Sequence, residues 1–220
     1  MICNRNIPLP VRQCKDFAIS GKGDNNEWQK TEWTNLQKLD KGGENYLSQF
    51  KILYSSGGIY VLFSGEDLII SSDFENDFDP LFKGDVFEVF FHPDPSESLY
   101  FEYEISSLEK ELVLLMVKRD KLITGWNPWP YGKENGVLKK VNLVGGTMKA
   151  YSPIESWTAE LFIPYKLLCA FNNTPPAKQT LWYANFCRLD YDTGKMIRWA
   201  WAPVETSFHE TQHYLPLLFE

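Results

Sequence analysis

The chain has 220 residues, 44% of them hydrophobic and 23% charged, an ordinary balance for a folded globular protein and one that excludes global disorder. Asp and Glu number 29 against 22 Lys and Arg, a net charge of -7, which argues against a nucleic-acid backbone as partner. Aromatic residues make up 15% of the chain, and such side chains favour strands and supply flat apolar faces for ligands.

In chain order, the first predicted elements are Phe50–Ser56 and Ile59–Ser64, flanking a turn at Gly57–Gly58, which reads as a hairpin. Asp85–Phe91 is an apolar strand with one carboxylate, Glu88, at its middle. Tyr100–Ile105 alternates, with Phe101, Tyr103 and Ile105 on one face and Glu102 and Glu104 on the other. Leu112–Lys118, Gly136–Val144 and Trp157–Ile163 follow, the last stopped by Pro164. Tyr165–Phe171 reads as one short helix, and Leu181–Asp190, Ile197–Ala202 and the terminal LPLLFE complete the strands. This spacing predicts an all-β fold, an antiparallel β-sandwich of jelly-roll or immunoglobulin-like type, spanning 1–220 as one domain.

The N-terminus lacks the apolar run of a signal peptide, and no 18-residue apolar stretch occurs, so no membrane partner is expected. The chain as written reads as cytoplasmic, or as periplasmic or extracellular if a leader was removed; oligomeric state is silent. Four cysteines, Cys3, Cys14, Cys169 and Cys187, form no C-x-x-C pair. Cys187 reads as a core residue, and a Cys3–Cys14 pairing is left open.

Three constellations could carry chemistry. His209-Glu210-Thr211-Gln212-His213 matches H-E-x-x-H, which binds zinc when both imidazoles share a helical face. Here it sits in a loop-like stretch between Pro203 and Pro216, so an accidental match is expected. Two of the strand carboxylates Glu88, Glu102, Glu104 and Glu160 could serve a glycoside hydrolase, whereas Glu102 and Glu104 could instead line a solvated face. Glu88 needs a partner in its apolar strand, and Arg188, also in an apolar strand, is the candidate. No cofactor is expected: Asp73, Asn76, Asp77 and Asp79 offer oxygen ligands of the kind calcium takes, but without the EF-hand spacing, and a solvated acidic loop is the preferred reading.

Several segments resemble, in order, the family 9 carbohydrate-binding modules within the wider DOMON-like β-sandwiches. They are Asp24-x-x-Glu27-Trp28, Ile59–Phe63, Gly84–Phe91, Trp157–Pro164, Trp182–Arg188, Trp199–Pro203 and Phe208 through Phe219. The resemblance covers the chain from about residue 19 to its end. It implies non-catalytic binding of a mono- or oligosaccharide, including a chain end, in association with polysaccharide breakdown. Family members hold a sugar ring between two tryptophans beside a Glu. The resemblance places Phe82, six residues before Glu88, and Phe208 at the tryptophan positions, and Glu88 at the Glu. The family's Arg in the following strand has no counterpart, and Arg188 is expected to supply the cation. Trp201 in the closing segment and Trp129 in the loop Trp126–Tyr131 complete the expected sugar-binding set. A β-sandwich that has lost the sugar site and serves a structural or protein-binding role is the other reading.

Overall fold

The computed structural model describes residues 7–120, 122–128, 131–132 and 134–220. Its strands stack as two layers. The first runs β10 (Leu138–Val144), β11 (Ser156–Pro164), β5 (Gly58–Glu66) and β4 (Ser48–Tyr54), with β2 (Thr34–Asn35) also paired to β4. The second runs β14 (Leu215–Phe219), β12 (Leu181–Asp190), β6 (Val86–His92), β7 (Leu99–Ser106), β8 (Glu111–Arg119) and β9 (Leu122–Trp126). Beside β12 lies β13 (Ile197–Ala200), which pairs in turn with β3 (Gln37–Lys38).

The expected all-β sandwich is present, with two differences. The first is that the layers are mixed rather than wholly antiparallel. Strand β1 (Leu9–Gln13) pairs parallel with β14 through Leu9–Val11 and parallel with β4 through Arg12–Gln13, joining the layers at one edge. The second is that no helix forms over Tyr165–Phe171. The backbone bonds there run from Leu167 to Pro164, Leu168 to Tyr165 and Phe171 to Leu168, a succession of tight turns without the i to i−4 pattern of an α-helix. The Gly57–Gly58 hairpin forms as expected, with Tyr54 opposite Ile59 and the Ser55 N–H bonded to the Gly58 carbonyl.

Alternation along each strand sends one side chain to the core and the next outward. Between the layers, Phe50 of β4 stacks on Phe186 of β12 at 3.7 Å, and Phe63 of β5 stacks on Phe87 of β6 at 4.7 Å. The outer face of the second layer carries its own apolar cluster, in which Val86, Phe90, Tyr100, Cys187 and Leu189 lie beneath Phe208 and Tyr214. Cys187 is fully buried there, as expected of a core residue. Cys3 lies outside the described residues, and so does the pairing with Cys14.

Candidate functional site

The outer face of the second layer holds a cleft of about 560 Å³, within the roughly 300–1,000 Å³ of small-molecule sites. Strands β6 and β7 form its floor. Glu88 of β6 stands directly opposite Glu104 of β7, and Glu102, two residues along, points to the same face. Leu114 and Met116 of β8 extend the floor apolarly. Phe82, in the 3₁₀ turn Leu81–Lys83, forms one rim and is 44% exposed. Its carbonyl accepts a hydrogen bond from the Tyr191 hydroxyl at 2.8 Å, which fixes the turn over the end of β12. Phe208 also lines the cleft, buried to 7% exposure and tilted onto Phe90 with ring centres 6.3 Å apart.

The floor is electrostatically unusual. Glu88, Glu102 and Glu104 are all buried, and among the described residues no lysine or arginine ion-pairs with any of them. Burial pushes the Glu88 carboxyl well above the ordinary carboxylate range, and the charge of Glu102 adds to it. Burial, then the charges of Glu88 and Glu102, does the same to Glu104. Glu102 rises to about 7 through burial, partly offset by a hydrogen bond that it accepts from the protonated Glu104. Apart from that bond, the Oε2 atoms of Glu102 and Glu104 are shut from water without a hydrogen-bond partner among the described residues. The nearest imidazole, His209, has its Nδ1 3.8 Å from Glu102 and 2.9 Å from the Tyr100 hydroxyl. Burial, followed by the charge of Lys118, lowers the pKa of that imidazole and favours its neutral form.

Of the expected set, the structure brings Phe82, Glu88 and Phe208 together on this cleft. Arg188 is elsewhere. It pairs with Phe87 across β12 and β6, whereas Glu88 pairs with Cys187, so the two side chains leave the sheet on opposite faces. Arg188 is buried between the layers, its Nη2 2.7 Å from Asp190 and 3.1 Å from Asp67. Its Nη1 donates to the Ser48 hydroxyl at 3.0 Å and to the Glu66 carbonyl at 2.6 Å. Tyr46 and Trp199 lie within 5.3 Å of the guanidinium carbon. Gly65 leaves room for it: a Cβ there would sit 2.6 Å from Nη1. Trp201 also points inward, its ring 5.6 Å from Phe50 and 5.8 Å from Phe186. Trp129 lies outside the described residues.

The cation that does line the cleft is Arg198, on the outward face of β13, with Lys83 at the Phe82 rim. Arg198 is already engaged. Its Nε and Nη2 donate to the two oxygens of Asp40 at 3.0 and 2.8 Å, and its Nη1 to the Thr206 carbonyl at 2.9 Å. Its alternation with Ile197 and Trp199 was the available sequence signal. Glu102 and Glu104, which sequence alternation puts on one face, floor the cleft rather than a solvated surface. Glu160 is separate: it accepts from the backbone of Ser20 and Gly21 and from the Trp28 indole at 2.8 to 2.9 Å, anchoring the N-terminal segment to β11.

The H-E-x-x-H segment forms no metal-binding helix. His213 lies in the 3₁₀ turn Thr211–His213, and Glu210 accepts from the backbone of Glu205, Thr206 and Ser207. Against the cost of its partial burial, these donors and the Thr206 hydroxyl hold the Glu210 carboxyl at about 2. In the acidic loop, Asp77 takes the Glu111 N–H at 3.0 Å and Lys139 at 2.6 Å, Asp79 takes the Asn76 N–H at 3.1 Å, and Asp73 takes the Tyr151 hydroxyl at 3.2 Å. Asn76 and Asp79 thus bond each other, while Asp73 and Asp77 bond residues outside the loop. Among the described residues, the acidic group whose carboxylate oxygens gather within 4.8 Å is Asp67, Asp190 and Asp192, and Arg188 pairs with two of its members.

No protein-family model and no curated protein matches the chain. Solved structures do. A proposed carbohydrate-binding protein from Bacteroides uniformis superposes with a TM-score of 0.72 at 15% identity, covering 97% of this chain and 99% of that one. A family 9 carbohydrate-binding module from Caldicellulosiruptor kristjanssonii, in complex with glucose, gives 0.68 at 13% identity, covering 97% and 96%. Such a module from the same organism with cellotriose gives 0.67 at 12% identity, covering 97% and 94%. The chain therefore has the β-sandwich fold of the family 9 modules. No helix among the described residues is long and apolar enough to cross a membrane.

Proposed function

We propose that the protein, read over 1–220 as a single module, binds carbohydrate without catalysis, the cleft on β6 and β7 taking a mono- or oligosaccharide in association with polysaccharide breakdown. A pyranose has an apolar C–H face and a polar rim. Phe82 and Phe208 offer aromatic surface for the first, and Glu88 with its neighbours offers acceptors for the second. The observation that carries this reading is the convergence of two aromatic rings and buried carboxylates on one open cleft. Its fold, shared with modules solved with glucose and cellotriose, supports it.

Hydrolysis is the competing reading. Glycoside cleavage sets two carboxyl groups on either side of the scissile bond. The carboxylates lining this cleft, Glu88, Glu102 and Glu104, all rise from one floor on two adjacent strands. Isothermal titration across a glycan panel tests the proposal. A saccharide should bind with a Kd of roughly micromolar to millimolar, and Phe82→Ala should weaken it without unfolding the protein. Flat titrations of folded protein across the panel would remove the sugar reading. Glycoside turnover that Glu88→Gln abolishes would replace it with an enzyme.

A further inference from the structure

The floor of the cleft says which sugar chemistry it suits. Glu88, Glu102 and Glu104 are three carboxyl groups on neighbouring positions of one sheet face, and the described residues supply no cation to pair them. Arg198 is held by Asp40 and Lys83 is exposed at the rim. His209 turns its Nδ1 to the Tyr100 hydroxyl. Apart from the proton that Glu104 shares with Glu102, Oε2 of each is buried without a donor among the described residues, although burying such an atom unpaired costs free energy. A neutral sugar offers hydroxyls, each one donor of no net charge. A protonated amine offers three donors and the missing positive charge.

Resting on the sugar-cleft reading above, we infer that the cleft is built for a saccharide bearing a protonated amine, a hexosamine-type residue with its ammonium on the Glu88–Glu102–Glu104 floor. The apolar wall of Phe82, Phe208, Leu114 and Met116 then covers the C–H face of the ring. A divalent metal is a poorer occupant. Among the described residues only Asp67, Asp190 and Asp192 bring three such ligand atoms within 4.8 Å, and the floor carboxylates do not.

Burial already holds Glu88 and Glu104 protonated well above the ordinary range, so the charge that draws the ammonium near pH 7 is that of Glu102, and acid should erase the preference by protonating it too. The other titratable or charged groups facing this floor are Cys187 from β12, Tyr100 from β7, and Tyr191, Tyr214, His209, Arg198 and Lys83 from the segments around it. Burial raises the pKa of Cys187, Tyr100, Tyr191 and Tyr214, keeping them neutral in this range. His209 is the group among them that gains charge in acid, and the charge it gains repels an ammonium, so it works in the same direction.

The test is isothermal titration of the full chain with the glucosamine disaccharide, its N-acetylated form and cellobiose, in EDTA, at about pH 7 and about pH 4.5. The amine should bind about ten- to a hundredfold tighter than the other two at neutral pH, as a charged hydrogen bond allows. That preference should vanish in acid. Glu102→Gln and Glu104→Gln should each lower affinity for the amine more than affinity for cellobiose. Equal affinity for all three disaccharides overturns the amine inference and leaves the sugar reading standing. Binding of none of them, or of ethanolamine as tightly as of the amino sugar, overturns the amine inference, and the wider glycan panel then decides the sugar reading. A preference that appears only when calcium replaces EDTA overturns the ammonium in favour of a metal bridge.

Discussion

The floor carboxylates should make the protein less stable as pH rises through neutrality, and Glu102→Gln should remove part of that loss. The carboxyl of Glu102 moves from 4.5 to about 7 on folding. An acid whose pKa is raised on folding holds more protons in the native state than in the unfolded one. Its stabilising effect is therefore fully present below about pH 4.5 and is lost as pH climbs through 7. At pH 8 the ionised Glu102 should cost about 3 kcal/mol relative to its protonated form, at roughly 1.4 kcal/mol per unit of displacement. Glu88 and Glu104 shift in the same direction, so the cluster releases its protons as a unit. Asp67, also raised to about 7 by burial, adds to the wild-type slope, so the comparison with the variant is what isolates Glu102. A Gln at 102 keeps a carbonyl to accept the Glu104 proton and carries no charge. Urea unfolding at about pH 5 and about pH 8 is the assay. The variant should gain on wild type by up to about 3 kcal/mol between the two, roughly 6–12 °C in Tm for a chain of this size. An unchanged difference between variant and wild type at both pH values would refute the argument, because it would mean that Glu102 is ionised at no cost.

Phe82→Ala should leave stability within roughly 0.5 kcal/mol, since the ring is 44% exposed, and should weaken saccharide binding. Phe208→Ala should cost about 3–5 kcal/mol, since the ring is buried on Phe90; chemical denaturation separates the two, and equal costs would contradict the rim assignment of Phe82. Arg188→Met should cost about 3–5 kcal/mol by leaving Asp67 and Asp190 buried without their cation, yet leave the Kd of the folded fraction unchanged. A selective loss of affinity in that variant would place Arg188 at the ligand after all.

What the sequence made legible, and what it hid, divides by how each strand is buried. Apolar runs bounded by turns marked β12 at Leu181–Asp190 and β6 to within a residue, because both strands are central and covered on both faces. That same double burial hid the direction of their side chains. In a run such as Leu181-Trp182-Tyr183-Ala184-Asn185-Phe186-Cys187-Arg188, nothing polar repeats every second residue to tell one face from the other. Glu88 and Arg188 therefore looked like partners, and only the register, Glu88 opposite Cys187, shows that the sheet separates them. Trp201 was misplaced for a related reason, since an aromatic next to a strand end serves a core as well as a ligand. Strand β1 escaped notice because Pro8 and Pro10 argue against a central strand. It can exist because it changes partners along its length, so β14 and β4 each need only part of its backbone. The acidic floor was half legible. Alternation placed Glu102 and Glu104 together, but the cover over them comes from residues about a hundred positions later, around Phe208, and only the tertiary fold brings it there.

The most direct measurement is an NMR titration of the labelled protein with a saccharide that the glycan panel identifies, read through backbone amide shifts. Saturable changes should concentrate on the Phe82 turn, the segments around Glu88 and Glu102–Glu104, and the Thr206–His209 wall. Shifts gathered instead around Arg188 and Trp201, or on the exposed edge at β9, would contradict a sugar-binding cleft on the outer face of this sheet.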